Sequence, residues 1–97
     1  MDLNKTDWSL IPEYMQGGMR RYFEEGIKPG SFLEAVLVND LKEACGRADD
    51  TNRLHLFDYV MFLYNYAPSR SWGPPENYRA WIAKGGLSGE PKYGAVA

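Results

Sequence analysis

Apolar residues recur every three or four positions along most of this chain, and this spacing predicts helices. The first apolar stripe consists of Ile11, Met15, Met19, Tyr22 and Phe23. It follows Ser9, a good N-cap residue, and stops at Gly26, which suits a left-handed C-cap. Pro29 prevents continuation beyond that glycine. The pattern therefore predicts a first helix over residues 10–26.

The second stripe starts at a capping box, because Ser31 and Glu34 have the spacing that lets each side chain cap the other's backbone amide. Its apolar members are Phe32, Leu33, Val36, Leu37, Leu41, Ala44 and Cys45. Gly46 is a natural stop. The stripe predicts one continuous helix over residues 32–47, with the Cys45 thiol in the core.

The third stripe follows a run of capping residues, Asp49 to Asn52, and ends before Pro68. One face carries Leu54, Phe57, Val60, Met61 and Tyr64, and further apolar positions are Leu56, Phe62 and Leu63. A helix that is apolar around most of its circumference is usually contacted on more than one side. The pattern therefore predicts a central core helix over residues 51–67.

A short fourth helix over residues 75–84 is predicted by prolines and an acid in its first turn, with Tyr78, Trp81 and Ile82 facing inward. Residues 1–9 lack periodicity and predict a loosely held N-terminal arm. Residues 88–97 are poor in packing residues and predict a flexible C-terminal tail. The predicted fold is all-α, a compact bundle or orthogonal array of about four helices in a single domain over residues 10–87.

Composition narrows the classes of function. The 97 residues fit one domain, and 11 basic against 13 acidic residues give a net charge of -2, which argues against a protein devoted to binding phosphates. The single cysteine, Cys45, excludes an internal disulfide and fits a reducing compartment. Neither a signal peptide nor a membrane-spanning run is recognised. We therefore expect a soluble cytoplasmic protein, with no membrane partner.

Residues with catalytic or metal-binding potential have simpler interpretations. His55 is the only histidine, and Asp58 three residues later makes a surface pair the favoured reading. The cluster from Asp49 to Asn52 lacks the ligand spacing of a calcium loop and is better explained by helix capping. One His and one Cys are too few for a zinc site. We predict no enzyme, no metal and no cofactor; a site assembled across a homodimer is left open.

Five residues are candidates for partner binding. Arg20 and Arg21 form the best basic spot, although the favoured reading is a solvated helix face balanced by Glu24 and Glu25. The segment from Asn65 to Trp72 places three residue types that dominate binding hot spots on or beside a loop, namely Tyr66, Arg70 and Trp72. The alternative for Trp72 is a lid folded back over the aromatic core.

Several short segments carry a resemblance to known proteins. They are Ile11-Pro12-Glu13-Tyr14-Met15, Gly18-Met19-Arg20-Arg21-Tyr22, Pro29-Gly30-Ser31-Phe32-Leu33, Ala35-Val36-Leu37, Asn39-Asp40-Leu41, Arg47-Ala48-Asp49, Tyr64-Asn65, Ala67-Pro68 and Trp72-Gly73. Over residues 10–87 the chain resembles small uncharacterised helical proteins encoded by bacteriophages and prophages. The resemblance implies a phage-encoded cytoplasmic protein. Such proteins often occupy a surface of a host machine, including CRISPR and other defence complexes.

These features together favour a non-enzymatic protein-binding module that binds a host or phage protein. We expect an inhibitor of a host defence complex, such as a CRISPR effector, or of host regulation. The alternative is a nucleic-acid-associated protein using the second and third helices as a helix-turn-helix. It is not favoured, because the polar face of the third helix offers only Arg53, His55 and Asp58. A homo-oligomer is left open.

Overall fold

The computed structural model describes residues 1–89, and within them the chain forms six α-helices joined by short loops. The helices are α1 (Glu13–Glu25), α2 (Ser31–Leu37), α3 (Leu41–Arg47), α4 (Asp50–Leu54), α5 (Leu56–Tyr66) and α6 (Pro75–Lys84). Three 3₁₀ turns lie at Trp8–Leu10, Ser69–Ser71 and Gly86–Gly89. No strand occurs in residues 1–89, so the all-α class is confirmed. The helix count is six instead of about four.

The predicted helix over residues 32–47 is two helices, α2 and α3. Asn39 has a φ of 64°, a left-handed conformation that ends a helix. Asp40 then starts α3, because its side chain accepts a hydrogen bond of 3.1 Å from the Glu43 amide. The apolar stripe runs across this break without interruption. Asparagine tolerates the left-handed region better than most residues, and this local preference outweighs the continuing stripe.

The predicted helix over residues 51–67 is also interrupted. His55 lies between α4 and α5 with φ -113° and ψ 11°, outside helical geometry. The predicted capping at the start of α4 is confirmed, since the Asp49 side chain accepts a hydrogen bond of 2.7 Å from the Asn52 amide. The Tyr59 hydroxyl of α5 donates to the Asn52 side chain at 2.6 Å. This buried bond ties the two short helices together.

Two predicted N-caps are wrong. Helix α1 begins at Glu13 instead of residue 10, and Ser9 lies in a 3₁₀ turn where the Asp7 side chain accepts from its amide at 3.0 Å. Helix α2 begins without a side-chain cap, so the capping box is not formed. The Glu34 carboxylate instead accepts a hydrogen bond of 3.0 Å from the Tyr78 hydroxyl of α6. A tertiary partner thus takes the place of the local one.

The core is rich in aromatic side chains. Its buried members are Ile11, Met19, Tyr22, Phe23, Phe32, Leu33, Ala35, Val36, Leu37, Ala44, Tyr59, Phe62, Leu63, Tyr78 and Trp81. The rings of Tyr22 and Tyr78 stack with centroids 5.5 Å apart. The Tyr22 hydroxyl donates to the Ser71 carbonyl at 2.5 Å, and the Trp81 indole N–H donates to the Tyr22 carbonyl at 2.9 Å. Each buried polar group named here therefore has a partner.

The end of α1 meets the last 3₁₀ turn backbone to backbone. Gly26 is the left-handed C-cap that the sequence predicts, with a φ of 68°. Gly86 also has positive φ, and a Cβ built there would lie 2.6 Å from the Gly26 nitrogen and from the Phe23 carbonyl oxygen. Only glycine fits at this contact. It fixes the position of α6 and its following turn against α1.

The N-terminal residues are not the loosely held arm that the sequence predicts. Met1, Leu3 and Trp8 are partly buried against the core, and the Trp8 ring lies 4.9 Å from that of Phe62. Apolar side chains without helical periodicity can still pack on a core, which explains the error. At the other end Ser88 and Gly89 belong to a 3₁₀ turn, and the predicted tail from residue 90 to 97 lies outside the described residues. No helix within residues 1–89 has the length and apolar character needed to cross a bilayer.

Candidate protein-docking surface

Five large apolar side chains are exposed on the neighbouring helices α3, α4 and α5, and together we call them the apolar face. Its members and their exposed fractions are Leu41 (67%), Leu54 (82%), Phe57 (74%), Val60 (41%) and Tyr64 (73%). Scattered exposed apolar residues are common on soluble proteins, whereas large exposed apolar patches are rare on monomers.

The apolar face is the side of α5 that the sequence placed in the core. Residues three and four apart share one side of a helix, so Phe57, Val60 and Tyr64 point away together. The buried members of α5 are Tyr59, Phe62 and Leu63, on the opposite side. The helix does contact the core, as predicted, but on one side only. The prediction that its Leu54–Tyr64 face is interior is wrong.

A small hollow joins α2 and α3 to α5 within the apolar face. Its volume is about 30 Å³. Its lining is Ala35, Val36, Asn39, Asp40, Leu41, Ala44, Leu56 and Val60. Because Leu41 and Val60 border the same hollow, α3 and α5 present one continuous surface.

Three short-range charged contacts lie on α3, α4 and the start of α5. Arg47 Nε lies 3.1 Å from Glu43 Oε2, and the guanidinium of Arg53 pairs with the Asp50 carboxylate. His55 Nδ1 lies 3.0 Å from Asp58 Oδ2, as the sequence predicts. Exposed pairs of this kind contribute little to stability. The three helices α3, α4 and α5 together carry as many basic as acidic residues: Lys42, Arg47 and Arg53 against Glu43, Asp50 and Asp58.

Cys45 is exposed, not buried as predicted. The break at Asn39 makes α3 a separate short helix, and Ala44 is its one buried residue. The apolar stripe of α2 therefore does not continue inward through α3. This places the thiol one helical turn beyond Leu41, on the same side of α3.

A cleft beside α4 brings Tyr14 close to His55, with Pro12, Glu13 and Thr51 as the other lining residues. The Tyr14 hydroxyl donates to Asp49 Oδ2 at 2.5 Å. This hydrogen bond, followed by that from the Asn52 amide, lowers the pKa of Asp49, and the same bond raises the pKa of Tyr14. The bond attaches α1 to the start of α4. Among residues 1–89 no three His, Cys, Asp or Glu side chains lie close enough together to hold a metal ion.

The structure places two of the predicted partner-binding residues, Arg20 and Tyr66, around one aromatic pair. The Arg20 guanidinium carbon lies 5.1 Å from the centre of the Trp8 ring, and the Tyr66 ring lies 5.5 Å from that of Phe62. Trp8 and Phe62 contact each other. Arg20 also donates to the Leu3 carbonyl at 3.5 Å. Arg20 therefore helps to hold the N-terminal segment on the domain, whereas Tyr66 packs against Phe62.

The other three predicted residues lie elsewhere. The Arg70 guanidinium carbon is 5.6 Å from the centre of the Trp81 ring. Trp72 is partly buried against the core, and its carbonyl accepts a hydrogen bond of 3.1 Å from the Asn77 side chain. Arg21 is exposed, and within the described residues no ion pair links it to Glu25. The five residues thus do not share one contact.

Comparison of the chain with protein-family models, with curated proteins and with solved structures finds no match. The apolar face is the surface that sequence reasoning missed. The sequence did carry a signal for this face, because α5 is apolar on two sides. The described helices bury only one of these sides. Asn39 also indicated the break between α2 and α3, because asparagine tolerates the left-handed conformation that ends a helix.

Proposed function

We propose that this chain is a non-enzymatic protein-binding module that docks through the apolar face. The observation that carries the proposal is the exposure of its five large apolar side chains. Together they present roughly 600 Å² of apolar surface, at the upper end for the largest patch on a monomer. Phe57 and Tyr64 add the aromatic side chains that are enriched at protein interfaces. Burial of this surface against a partner would be favourable.

The proposed partner is a host protein, and the proposed outcome of binding is inhibition of a defence complex such as a CRISPR effector, or of host regulation. The resemblance to phage-encoded proteins supports this part of the proposal. The character of the surface agrees with it, because an inhibitor needs only to cover a functional surface of its target. No bond-making chemistry is required for that action.

Nucleic acid is a poorer fit to the same surface. Binding to phosphates needs basic side chains that are free to replace counterions. Around the apolar face Arg47 and Arg53 are engaged with Glu43 and Asp50. The exposed side of α5 itself carries Phe57, Val60 and Tyr64, which would not read base edges by hydrogen bonding. The structure therefore favours a protein partner for this face.

A comparison of two variants tests the proposal. Phe57→Glu places a charge in the apolar face, whereas Ile27→Glu makes a comparable change at a residue that is 44% exposed between α1 and α2. Each tagged chain is expressed in cells with an active CRISPR system, and plasmid clearance and co-purified proteins are measured. We expect the wild type and Ile27→Glu to inhibit clearance and to retain the same effector component. Phe57→Glu should lose both properties.

Two results would contradict the proposal. The first is equal recovery of the partner by Phe57→Glu and the wild type, which would place the docking surface elsewhere. The second is a purified chain that shifts DNA or RNA in a gel with a steep loss of binding as salt increases, the signature of phosphate contacts. If the chain inhibits host regulation and not plasmid clearance, the protein-binding function remains and the proposed target changes.

A further inference from the structure

We infer that, when its target is absent, the apolar face pairs with the apolar face of a second copy of the chain. The inference rests on the proposed function, since it assigns an occupant to the same docking surface. Three observations support a second copy: the area of the face, the balanced charges of its helices, and the spacing of its residues along α5.

The area is sufficient for a small stable dimer. A stable interface buries at least about 1,200 Å² in total, or about 600 Å² on each partner. The apolar face offers roughly that area, from Leu41, Leu54, Phe57, Val60 and Tyr64 alone. Polar atoms at the edge of the face would add to it. Two copies can therefore reach the lower limit without rearrangement of the fold.

Charge does not oppose the pairing of identical surfaces. In a two-fold symmetric dimer each residue meets the same surface of its partner, so an excess of one sign would repel itself. The charges on α3, α4 and α5 balance, with Lys42, Arg47 and Arg53 against Glu43, Asp50 and Asp58. Each copy therefore presents both signs. The remaining contact is between uncharged, apolar side chains.

The spacing along α5 suits the packing of two helices. Phe57, Val60 and Tyr64 follow steps of three and four residues, the pattern that keeps a seam facing a partner helix at a shallow crossing angle. In an arrangement with α5 antiparallel to its counterpart, Val60 would lie near the symmetry axis and Phe57 would lie opposite the partner's Tyr64.

Self-pairing has a consequence for the proposed function. The target and the second copy compete for one surface, so binding of a target must separate the dimer. The apparent affinity for the target therefore decreases as the concentration of the chain increases. The dimer also covers an apolar surface that would otherwise promote aggregation.

Sedimentation equilibrium of the full chain tests the inference directly, over about 1 µM to 1 mM, where weak and moderate dimers dissociate. We expect the wild type and Ile27→Glu to approach twice the 11.1 kDa mass of one chain. At each concentration Phe57→Glu should have a lower average mass than the wild type, closer to that of one chain. The substitution occurs on both sides of a symmetric interface. The dissociation constant of the dimer should therefore rise at least about 30-fold, as for the loss of a hot spot.

Far-UV circular dichroism of each variant provides the folding control. Val60→Glu is a second variant within the same face, at a residue exposed nearly to the same extent as Ile27. A folded Phe57→Glu or Val60→Glu chain that forms dimers as tightly as the wild type would overturn the inference. A wild type that stays monomeric at the highest concentration would overturn it as well. A monomeric wild type whose target binding is abolished by Phe57→Glu would remove the dimer and leave the proposed function intact.

Discussion

The two sides of α5 differ in burial much more than in composition. On the packed side Tyr59, Phe62 and Leu63 are fully buried. On the open side Phe57 and Tyr64 are about three-quarters exposed, at 74% and 73%. Both sides are apolar and aromatic. The difference lies in what faces them. The N-terminal segment, α1 and α2 cover the packed side, whereas on the open side the described residues of α2 and α3 reach α5 at the small hollow beside Val60.

This contrast separates two uses of apolar residues. Phe62 contacts Trp8, Phe23 and Tyr66, so its burial contributes to folding. Phe57 has no such ring contact in the described residues, and its apolar surface is free to stabilise an association instead. Substitutions on the two sides should therefore affect different quantities. Those on the packed side should lower stability, and those on the open side should change binding.

The largest expected effect is that of Phe62→Ala. Removal of a buried aromatic ring leaves a cavity and should lower the free energy of unfolding by about 3–5 kcal/mol. Urea denaturation followed by circular dichroism measures this change. A loss below about 1 kcal/mol would show that the packed side is not tightly filled.

Gly86→Ala should have the next largest effect. The added Cβ would lie 2.6 Å from the Gly26 nitrogen, and the residue has a φ of 66°. Strain of this kind costs at least about 2 kcal/mol, because neither backbone segment can move without disturbing α1 or α6. The melting temperature checks it. Retention of the wild-type melting temperature would mean that α1 and the last 3₁₀ turn can separate enough to admit a Cβ.

Tyr22→Phe tests a buried hydroxyl of the packed side. The hydrogen bond to the Ser71 carbonyl should contribute about 1 kcal/mol at neutral pH. Burial, assisted by the neighbouring Tyr78, raises the pKa of Tyr22 far above its ordinary value of 10.0. The contribution of this raised pKa to the free energy of unfolding is therefore fully present below pH 10 and declines as the pH rises beyond it.

The pH dependence distinguishes the loss of this group from a general loss of packing. Denaturation between about pH 8 and 11 should show a shallower alkaline decline in Tyr22→Phe than in the wild type. The decline should not vanish, because burial also raises the pKa of Tyr59 and Tyr78. Identical slopes for both proteins would contradict the assignment.

Gly46→Ala is expected to stabilise the open side. Gly46 lies inside α3, and a Cβ built there meets no atom within 4 Å. Alanine favours a helix over glycine by about 0.5–1 kcal/mol. A modest rise in melting temperature would confirm that α3 is open to solvent at this position. A fall would reveal a close neighbour.

Phe57→Ala should change the stability of a single chain least, by no more than about 0.5 kcal/mol, because its side chain is mostly exposed. Denaturation must be measured at a protein concentration that keeps the chain monomeric, since dimers would couple association to unfolding. A loss comparable with that of Phe62→Ala under these conditions would abolish the distinction between the two sides of α5. Binding and self-association, in contrast, should respond strongly to this substitution.

Local signals in the sequence determined much of the secondary structure. The three- and four-residue spacing of apolar positions predicts an all-α fold, and α1 and α6 lie close to where that spacing places them. The C-cap at Gly26 and the capping of α4 by Asp49 are confirmed because each depends on a few neighbouring residues. The same holds for the pairing of His55 with Asp58. Short-range geometry is enough to specify these features.

Tertiary structure decided which apolar residues are interior. Periodicity shows that Phe57, Val60 and Tyr64 share one side of a helix, but not whether another element covers that side. The left-handed turn at Asn39 separates α3 from α2 and leaves Cys45 and Leu41 exposed. Partner atoms come from distant parts of the chain, so burial is a property of their arrangement. The apolar face is visible only once that arrangement is known.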